Sequence, residues 1–299
     1  MTADRLERLL EVRLRRPRAI AEAAEARTRA APDPGPGPGR HLLIAADHPA
    51  RGALAAGGSP MAMADRLDLL DRLCTALARP GVTGVLGTAD ILEDLLLLGA
   101  LEGKVVFGSM NRGGLADTVF EIDDRFTGYD PETLAAMRFD GGKMLFRIDP
   151  GDPGSVRTME ACARAVTALA RRGLTAMVEP FISRRVDGRI RNDLRAEAVI
   201  RSVAVASGLG ATSAYTWLKL PVVPGDDEMA RVLAASTLPV LLLGGEVPED
   251  PEATYARWGK ALRAPTVRGL IVGRSLLFPA DGDVAGAVDA AANLLEDRR

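Results

Sequence analysis

The chain has 299 residues, and its 38 Lys and Arg residues nearly balance its 40 Asp and Glu residues, so the formal charge is −2. This balance argues against a nucleic-acid partner, because a broad nucleic-acid surface needs a clustered basic face. Hydrophobic residues make up 47% of the chain and aromatic residues only 4%. We therefore expect a soluble globular protein whose core is packed by Leu, Val, Ala and Ile.

Cysteine and histidine are scarce in this chain. Cys74 and Cys162 each lie between apolar residues in helical patterns, which excludes a disulfide framework and fits a reducing cytoplasm. Two Cys and two His are too few to supply a zinc site readily, so we expect no metal and no cofactor. The longest apolar run, 95–101, is too short to cross a bilayer, and residues 1–30 lack the apolar segment of a secretory signal. The sequence thus predicts a cytoplasmic protein without a membrane partner.

The first part of the chain differs in composition from the rest. Residues 3–30 predict one or two polar, alanine-rich helices with leucines at helical spacing. Residues 31–39 alternate Pro and Gly, which permits neither a helix nor strand pairing and therefore predicts a linker. We divide the chain into a helical extension with its linker, residues 1–39, and a main domain, residues 40–299. The extension is expected to pack against the main domain or against another subunit.

From residue 41 onward, an apolar run followed by a stretch of helical periodicity recurs eight times. Each run is apolar on both faces, as expected for a buried parallel strand. The runs are 41–48, 81–88, 104–111, 143–149, 174–181, 215–222, 239–245 and 267–275. Four helices are predicted to begin at Ser59–Pro60, Asp130–Pro131, Ser155 and Asp250–Pro251. The other helical stretches are 89–101, 193–207, 226–236 and 284–297.

Eight strand–helix units over about 250 residues predict a (β/α)8 TIM barrel with an N-terminal helical extension. A doubly wound open sheet is the alternative. A TIM barrel carries its active site at the carboxyl ends of its strands. Polar residues at the ends of the buried runs are therefore the candidate site residues.

The sixth run, 215–222, predicts a lysine inside the barrel. Side chains alternate across a strand, so Leu218 and Leu220 suit the helix side while Trp217 and Lys219 face the interior. Burial opposes the charge of an ammonium group and lowers its pKa, which makes the amine a nucleophile near neutral pH. Lys219 is therefore the candidate nucleophile. The alternative is a lysine that pairs with a carboxylate for structural reasons only.

Neighbouring runs supply carboxylates and a second lysine. Glu179 lies at the inward-facing end of the fifth run, and Asp47 ends the first run, where a capping or turn aspartate is the alternative. Lys143 begins the fourth run, so it would lie deep in the barrel and tune charge, and Arg147 would pair with Asp149. An interior lysine beside carboxylates predicts carbonyl chemistry through a Schiff base. The amine attacks the carbonyl, the iminium accepts electrons during C–C cleavage, and a carboxyl group moves protons.

Two glycine-containing strand ends predict a phosphate site. Gly244 and Gly245 end the seventh run, and Gly273 and Arg274 end the eighth, where this barrel class commonly binds phosphate. Glycine lets backbone N–H groups approach phosphate oxygens, and an arginine adds a bidentate charge. We therefore expect a phosphorylated small-molecule substrate. The alternative is that these glycines form ordinary turns after strands.

Further polar residues follow the first and third runs. Arg51 lies shortly after the first run and is a candidate for substrate binding. Ser109, Asn111 and Arg112 follow the third run and are candidates for binding hydroxyls or a second anionic group. The alternative for this cluster is a tight solvated loop. The charged segment 183–189, after the fifth run, predicts a flexible solvated loop or a subunit contact.

The ordered motifs AADHPARG, KMLFRID, VEPF, WLKLPV, GG and GLIVGRS resemble those of one enzyme family. That family is the class I aldolases related to tagatose-bisphosphate, sulfofructose-phosphate and DhnA-type fructose-bisphosphate aldolases. The motifs are also similar to those of aldolase-like barrels found with actinobacterial inositol-catabolism enzymes. The resemblance covers residues 40–280. Two departures, Pro49–Ala50 before Arg51 and the N-terminal extension, bear on the identity of the substrate.

The resemblance implies roles for particular residues. Lys219 would form the Schiff base, Glu179 would transfer protons beside it, and Asp47 would orient the substrate hydroxyl or assist protonation. Lys143 would match the lysine of the fourth strand. The phosphate cradle would be formed by Gly245, Gly273 and Arg274.

These roles imply a class I aldolase, expected as a homo-oligomer, that acts on a phosphorylated keto-sugar or keto-acid. If the inositol-pathway resemblance holds, the substrate is 5-dehydro-2-deoxy-phosphogluconate. The alternatives are a transaldolase-like Schiff-base transferase and a catalytically silent barrel that binds a sugar phosphate.

Overall fold

The structure, a computed structural model, describes residues 3–30, 39–112, 114–248 and 250–296. The predicted linker lies outside these residues except for Gly39. Nine strands occur in the described part of the chain. They are β1 (His41–Ala45), β2 (Gly84–Gly87), β3 (Val105–Ser109), β4 (Gly141–Ile148), β5 (Thr175–Val186), β6 (Arg189–Asn192), β7 (Thr216–Leu220), β8 (Val240–Leu243) and β9 (Val267–Val272).

Eight of these strands close into a parallel barrel. The order is β4-β3-β2-β1-β9-β8-β7-β5, and a further pairing between β4 and β5 closes the ring. Every predicted apolar run overlaps one barrel strand, although β4 begins two residues before its run and β5 continues five residues beyond its run. The predicted (β/α)8 barrel is therefore confirmed, and the open-sheet alternative is wrong.

The ninth strand, β6, lies outside the barrel ring. It pairs antiparallel with the end of β5, with Ser183 opposite Asn192 and Val186 opposite Arg189. The expectation of a flexible loop over 183–189 is therefore wrong, since backbone pairing orders this segment as a hairpin. Residues 184–189 of the hairpin are exposed.

The helices of the described residues surround the barrel or precede it. They are α1 (Ala3–Arg15), α2 (Ala19–Ala26), α3 (Arg66–Leu77), α4 (Ala89–Leu97), α5 (Pro131–Ala136), α6 (Gly154–Ala170), α7 (Ala196–Ser207), α8 (Asp226–Leu233), α9 (Pro251–Ala261), α10 (Arg274–Leu277) and α11 (Val284–Glu296). Among them, none is long and apolar enough to cross a membrane.

Aspartate side chains cap the starts of α3, α5 and α9. Asp130 and Asp250 accept backbone N–H bonds at the starts of α5 and α9, as predicted. The helix predicted to begin at Ser59–Pro60 begins instead at Arg66. The reason is that the carboxylate of Asp65 accepts the N–H groups of the first turn, which makes it the stronger cap.

Apolar side chains of the barrel strands form two layers, one inside the barrel and one between the strands and the helices. The barrel interior is filled by Leu43, Ala45, Leu86, Val105, Phe107, Met177, Leu241 and Ile271. The outer faces of the strands, among them Val178, Leu218 and Leu220, pack beneath the helices. The predicted alternation on β5 and β7 is therefore confirmed, and residues of the Met177 parity point into the barrel.

The N-terminal helices pack against the barrel of the same chain. Arg13 on α1 forms an ion pair of 2.7 Å with Asp94 on α4. The buried guanidinium of Arg27 donates to the backbone carbonyls of Lys104 and Arg138. These carbonyls lie just before β3 and β4, so Arg27, directly after α2, lies at the amino ends of these strands, opposite the predicted site.

Candidate active site

Charged side chains from five strands converge inside the carboxyl end of the barrel. They are Asp47 after β1, Arg112 after β3, Lys143 on β4, Glu179 on β5 and Lys219 on β7, and all five are buried. Lys219 Nζ lies 3.0 Å from Glu179 Oε1, and Lys143 Nζ contacts Glu179 Oε2. Lys143 Nζ also lies 3.2 Å from Asp47 Oδ2. The structure thus brings together the four residues predicted to carry the chemistry.

The strand register explains the depth of each lysine. Lys143 pairs with Met177, and Met177 pairs with Trp217, so these three residues share one level of the barrel. Glu179 and Lys219 each lie two residues further along, one layer nearer the carboxyl ends. The side chain of Lys143 is 1% exposed and that of Lys219 is 5% exposed. Lys143 therefore reaches Glu179 from below, as expected from its place at the start of the strand.

Burial and neighbouring cations lower the pKa of both lysines. Burial lowers the pKa of Lys219, Glu179 opposes this effect, and Arg112 and Arg274 add to it. The pKa of Lys143 falls well below its usual value because of burial and the charge of Arg112. These shifts favour the uncharged amine, which is the nucleophilic form.

The same surroundings favour the charged form of the Glu179 carboxyl group, whereas they favour the uncharged form of the two lysines. Burial alone would raise its pKa, but Lys143 and Lys219 outweigh burial and hold the pKa well below its usual range. Arg112 has a pKa lowered by burial to about 10, so it stays charged near neutral pH. With every group ionised, three cations would face two carboxylates. Loss of a proton from one lysine removes this excess charge.

Residues at the end of β3 hold Asp47 in place. Ser109 Oγ lies 3.2 Å from Asp47 Oδ2, and Arg112 contacts the same oxygen while its Nε donates to Ser109 Oγ at 2.9 Å. Ser109, Asn111 and Arg112 are all buried. The expectation of a solvated loop here is therefore wrong. Sequence reasoning placed Arg112 only among candidates for substrate binding and missed its contact with Asp47.

Asn111 is engaged with the backbone. Its amide donates to the carbonyls of Leu145 and Asp124, and its carbonyl accepts the N–H of Leu145 at 2.7 Å. This side chain is fully buried. The structure therefore places Asn111 as a link between β4 and the segment after β3, and its role in substrate binding stays a prediction.

A network of charges fastens the segment after β3 over the barrel mouth. Arg147 on β4 forms ion pairs with Asp124 at 2.7 Å and Glu121 at 3.2 Å. The predicted pairing with Asp149 is wrong, because that carboxylate instead accepts a backbone N–H in its own turn. Arg51 Nε donates to the carbonyl of Gly114 at 2.9 Å. Arg51 thus lies beside this segment rather than in the lysine cluster.

Two glycines mark close approaches between neighbouring strand ends: Gly244, after β8, lies close to β9, and Gly273, after β9, lies close to the end of β1. A Cβ at position 244 would lie 3.1 Å from Ser275 Oγ, and one at position 273 would lie 3.2 Å from His48 Cε1. Gly245 has a φ of +69°, which favours glycine. A Cβ at position 244 would also meet the side chain of Val272, and one at position 273 would meet the backbone oxygen of Ala45, so both strand ends are tightly packed. A Cβ at position 245 would meet no atom of the described residues within 4 Å.

Polar atoms without partners surround the same strand ends. Arg274 Nε, Ser275 Oγ and His48 Nδ1 are buried and have no hydrogen-bond partner among the described residues. The guanidinium of Arg274 lies 3.7 Å from Glu246, whose side chain is 88% exposed. Buried donors normally find a partner, so this group is suited to hold an anion. Ser275 is a residue that sequence reasoning missed, although it directly follows the predicted Arg274.

No group of three or more His, Cys, Asp or Glu side chains is placed to hold a metal ion within the residues described above.

Comparison with known families decides the relationship of this chain. The profile of the Cgl0159-like family matches residues 39–292. The chain belongs to the Cgl0159-like family. The crystal structure of Cgl0159 from Corynebacterium glutamicum has 50% sequence identity and a TM-score of 0.94, covering 99% of this chain and 98% of that one. The alignment therefore extends over the N-terminal helices as well as the barrel. No curated protein matches the chain.

More distant structures share the barrel fold with this Cgl0159-like protein. One is an archaeal fructose-1,6-bisphosphate aldolase whose catalytic lysine is covalently bound to the carbinolamine intermediate of its substrate. It has 18% identity and a TM-score of 0.65, covering 86% of this chain and 94% of that one. Another is a fructose-bisphosphate aldolase from Slackia heliotrinireducens, with 16% identity and a TM-score of 0.62, covering 99% and 92%. At these identities the likeness establishes a common fold.

Proposed function

We propose that this Cgl0159-like protein is a class I aldolase that makes or breaks a C–C bond through a Schiff base on Lys219. The observation that carries the proposal is the buried amine of Lys219, held 3.0 Å from Glu179 inside a cluster with one excess cation. The archaeal aldolase, which has the same fold and forms a covalent bond at its catalytic lysine, supports it.

Lys219 is better placed than Lys143 to be the nucleophile. Lys143 bridges Asp47 and Glu179 and is the deeper of the two lysines. Among the described residues, Lys219 forms an ion pair with Glu179 alone, and it lies nearer the open end. An amine with a single partner can turn toward a carbonyl carbon without leaving both carboxylates unpaired. Lys143 keeps the two carboxylates in place, while burial and the charges of Arg112 and Arg274 oppose protonation of Lys219.

The reaction follows from these positions. The neutral amine of Lys219 attacks the substrate carbonyl, and the carbinolamine loses water to give an iminium. The hydroxyl on the departing carbon gives its proton to Glu179 as the C–C bond breaks. The bonding electrons pass into the iminium, which becomes an enamine, while the departing carbon leaves as an aldehyde. Asp47, held by Ser109 and Arg112, orients the substrate hydroxyl.

We further propose that the substrate is a phosphorylated keto-sugar or keto-acid. The unpartnered donors of Arg274 and Ser275, next to the glycines at 244, 245 and 273, support a phosphate cradle. The specific substrate that we propose is 5-dehydro-2-deoxy-phosphogluconate, which would yield dihydroxyacetone phosphate and malonate semialdehyde. Arg51 would shape the mouth of this site through its bond to Gly114.

Borohydride trapping tests the proposal directly. The chain has only four lysines, so the protein is incubated with a panel of ketose phosphates, reduced, and mapped by peptide mass spectrometry. The expected adduct lies on Lys219, is absent in Lys219→Met, and persists in the control variant Lys260→Met on α9. An adduct on Lys143 instead would refute the assigned nucleophile. Phosphate-dependent binding with no adduct would favour the silent barrel, and transfer to an added aldehyde acceptor without free product would favour the transferase.

A further inference from the structure

Aldol chemistry through a Schiff base needs a second proton transfer, at the enamine carbon. Glu179 already takes the hydroxyl proton in the first transfer, and a lysine contacts each of its oxygens, so a different group is needed for this step. Asp47 Oδ2 is likewise held, by Lys143 and Ser109. The remaining oxygen, Asp47 Oδ1, faces a different neighbour.

That neighbour is His48, which lies between the lysine cluster and the end of β9. Its Nδ1 is buried, has no hydrogen-bond partner among the described residues, and lies 4.0 Å from Asp47 Oδ1. A quarter of the His48 side chain, 25%, is exposed. Gly273 packs against the ring, since a Cβ there would lie 3.2 Å from Cε1. The ring is thus confined, but part of it is open to a bound molecule.

The charges that face His48 come from four other elements. Burial lowers its pKa, and the cations Arg274 on α10, Lys219 on β7 and Lys143 on β4 act in the same direction, while Glu179 on β5 opposes them. On its own segment, the carboxylate of Asp47 is the nearest charge. The imidazole is therefore neutral near neutral pH, which is the form that can accept a proton.

We propose that His48 is a catalytic residue that moves the proton at the enamine carbon. This role rests on the proposed function. Nδ1 lies on the Asp47 side, so Nε2 is the nitrogen that serves the substrate. In the synthetic direction, Nε2 takes a proton from the carbon next to the iminium. The C–H electron pair forms the enamine C=C bond, and the C=N pair moves onto the Lys219 nitrogen. In the cleavage direction the neutral imidazole first takes up a proton from solvent and then gives it from Nε2 to the enamine carbon, which regenerates the iminium.

Hydrogen exchange separates this step from Schiff-base formation. Dihydroxyacetone phosphate is incubated in D2O with the full-length protein, and exchange of its carbon-bound hydrogen is followed by NMR. A parallel sample is reduced with borohydride to measure the adduct on Lys219. We expect His48→Gln to keep the adduct within twofold of the wild-type level and to lose exchange by about 100-fold or more. The matched control is His41→Gln, at the other end of β1, which should keep both.

Each outcome decides the role of His48. If His48→Gln forms the adduct and exchanges hydrogen at the wild-type rate, the proposal is overturned and the aldolase assignment stays intact. Loss of both signals in a variant with a native circular dichroism spectrum also overturns it, because His48 would then act before the enamine forms. Absence of an adduct in the wild-type protein with dihydroxyacetone phosphate and with every ketose phosphate of the panel overturns the aldolase assignment and this role together. If His48→Gln does not fold, His48→Ala is tested, and added imidazole should restore exchange; failure of rescue in folded protein counts against the proposal.

Discussion

Replacing Glu179 with Gln should lower the pKa of Lys219 further. The substitution keeps the shape of the side chain but removes the carboxylate charge 3.0 Å from Lys219 Nζ. That charge raises the pKa of the amine against burial and against the cations Arg112 and Arg274. Without it, only the effects that disfavour the ammonium form remain.

The size of the shift follows from the geometry. Two unit charges at this separation interact by about 5.5 kcal/mol at an effective dielectric of about 20. Because one pKa unit corresponds to about 1.4 kcal/mol, the ceiling is about 4 units. Opposite charges at contact distance commonly shift a pKa by about 1–3 units. We therefore expect the pKa of Lys219 to fall by about 1–3 units in Glu179→Gln.

Reductive methylation with formaldehyde measures this pKa without needing the substrate. The rate of modification at Lys219, followed by peptide mass spectrometry, should show its inflection at lower pH in Glu179→Gln. The control variant Glu197→Gln removes a carboxylate from α7, where it pairs with Arg231 away from the site, and should leave the inflection unchanged. An unchanged or higher inflection in folded Glu179→Gln would show that this carboxylate does not control the charge of the amine.

Three further predictions concern binding and stability. Arg274→Ala should raise KM for a phosphorylated substrate by about tenfold or more, since a charged hydrogen bond contributes about 1.5–3 kcal/mol; an unchanged KM in steady-state kinetics would contradict the phosphate assignment. Arg27→Met should lower the free energy of unfolding in urea by about 3 kcal/mol, because it leaves buried acceptors unpaired. The ion pair between Arg13 and Asp94 is partly exposed, so Arg13→Met should lower the free energy of unfolding by less than about 1 kcal/mol. Equal decreases in Arg27→Met and Arg13→Met would contradict this reasoning. Finally, Glu179 stays ionised in the folded protein below its usual pKa of 4.5, so its stabilising contribution should be lost as pH falls below that value. In urea titrations at several acidic pH values, the free energy of unfolding should fall less steeply with decreasing pH in Glu179→Gln than in the wild-type protein. Parallel pH dependences of the two proteins would contradict this prediction.

Much of the fold and part of the site could be predicted because they depend on local periodicity. Eight buried runs, each followed by a helical stretch, imply a closed parallel barrel. Alternation along one strand shows that Glu179 and Lys219 point inward, because successive side chains on a strand leave opposite faces. The predicted start of α3 at Ser59–Pro60 is wrong, because it is the folded backbone that brings the carboxylate of Asp65 to the N–H groups of the first turn.

Contacts across long stretches of sequence could not be predicted in this way. Arg147 was expected to pair with Asp149, but it reaches Glu121 and Asp124 in an irregular segment that has no periodicity to reveal its path. Arg112 contacts Asp47 because β3 and β1 both end at the same mouth, with β2 between them.

The amino-acid sequence by itself determined which side chains enter the barrel, since strand alternation is a property of the local backbone. Only the tertiary structure decided which of them touch. Closure of the ring sets the register between strands, and the register sets how far Lys143 lies below Lys219 and Glu179. It also decided that His48 lies against Gly273, because that contact joins the first strand of the barrel to the last.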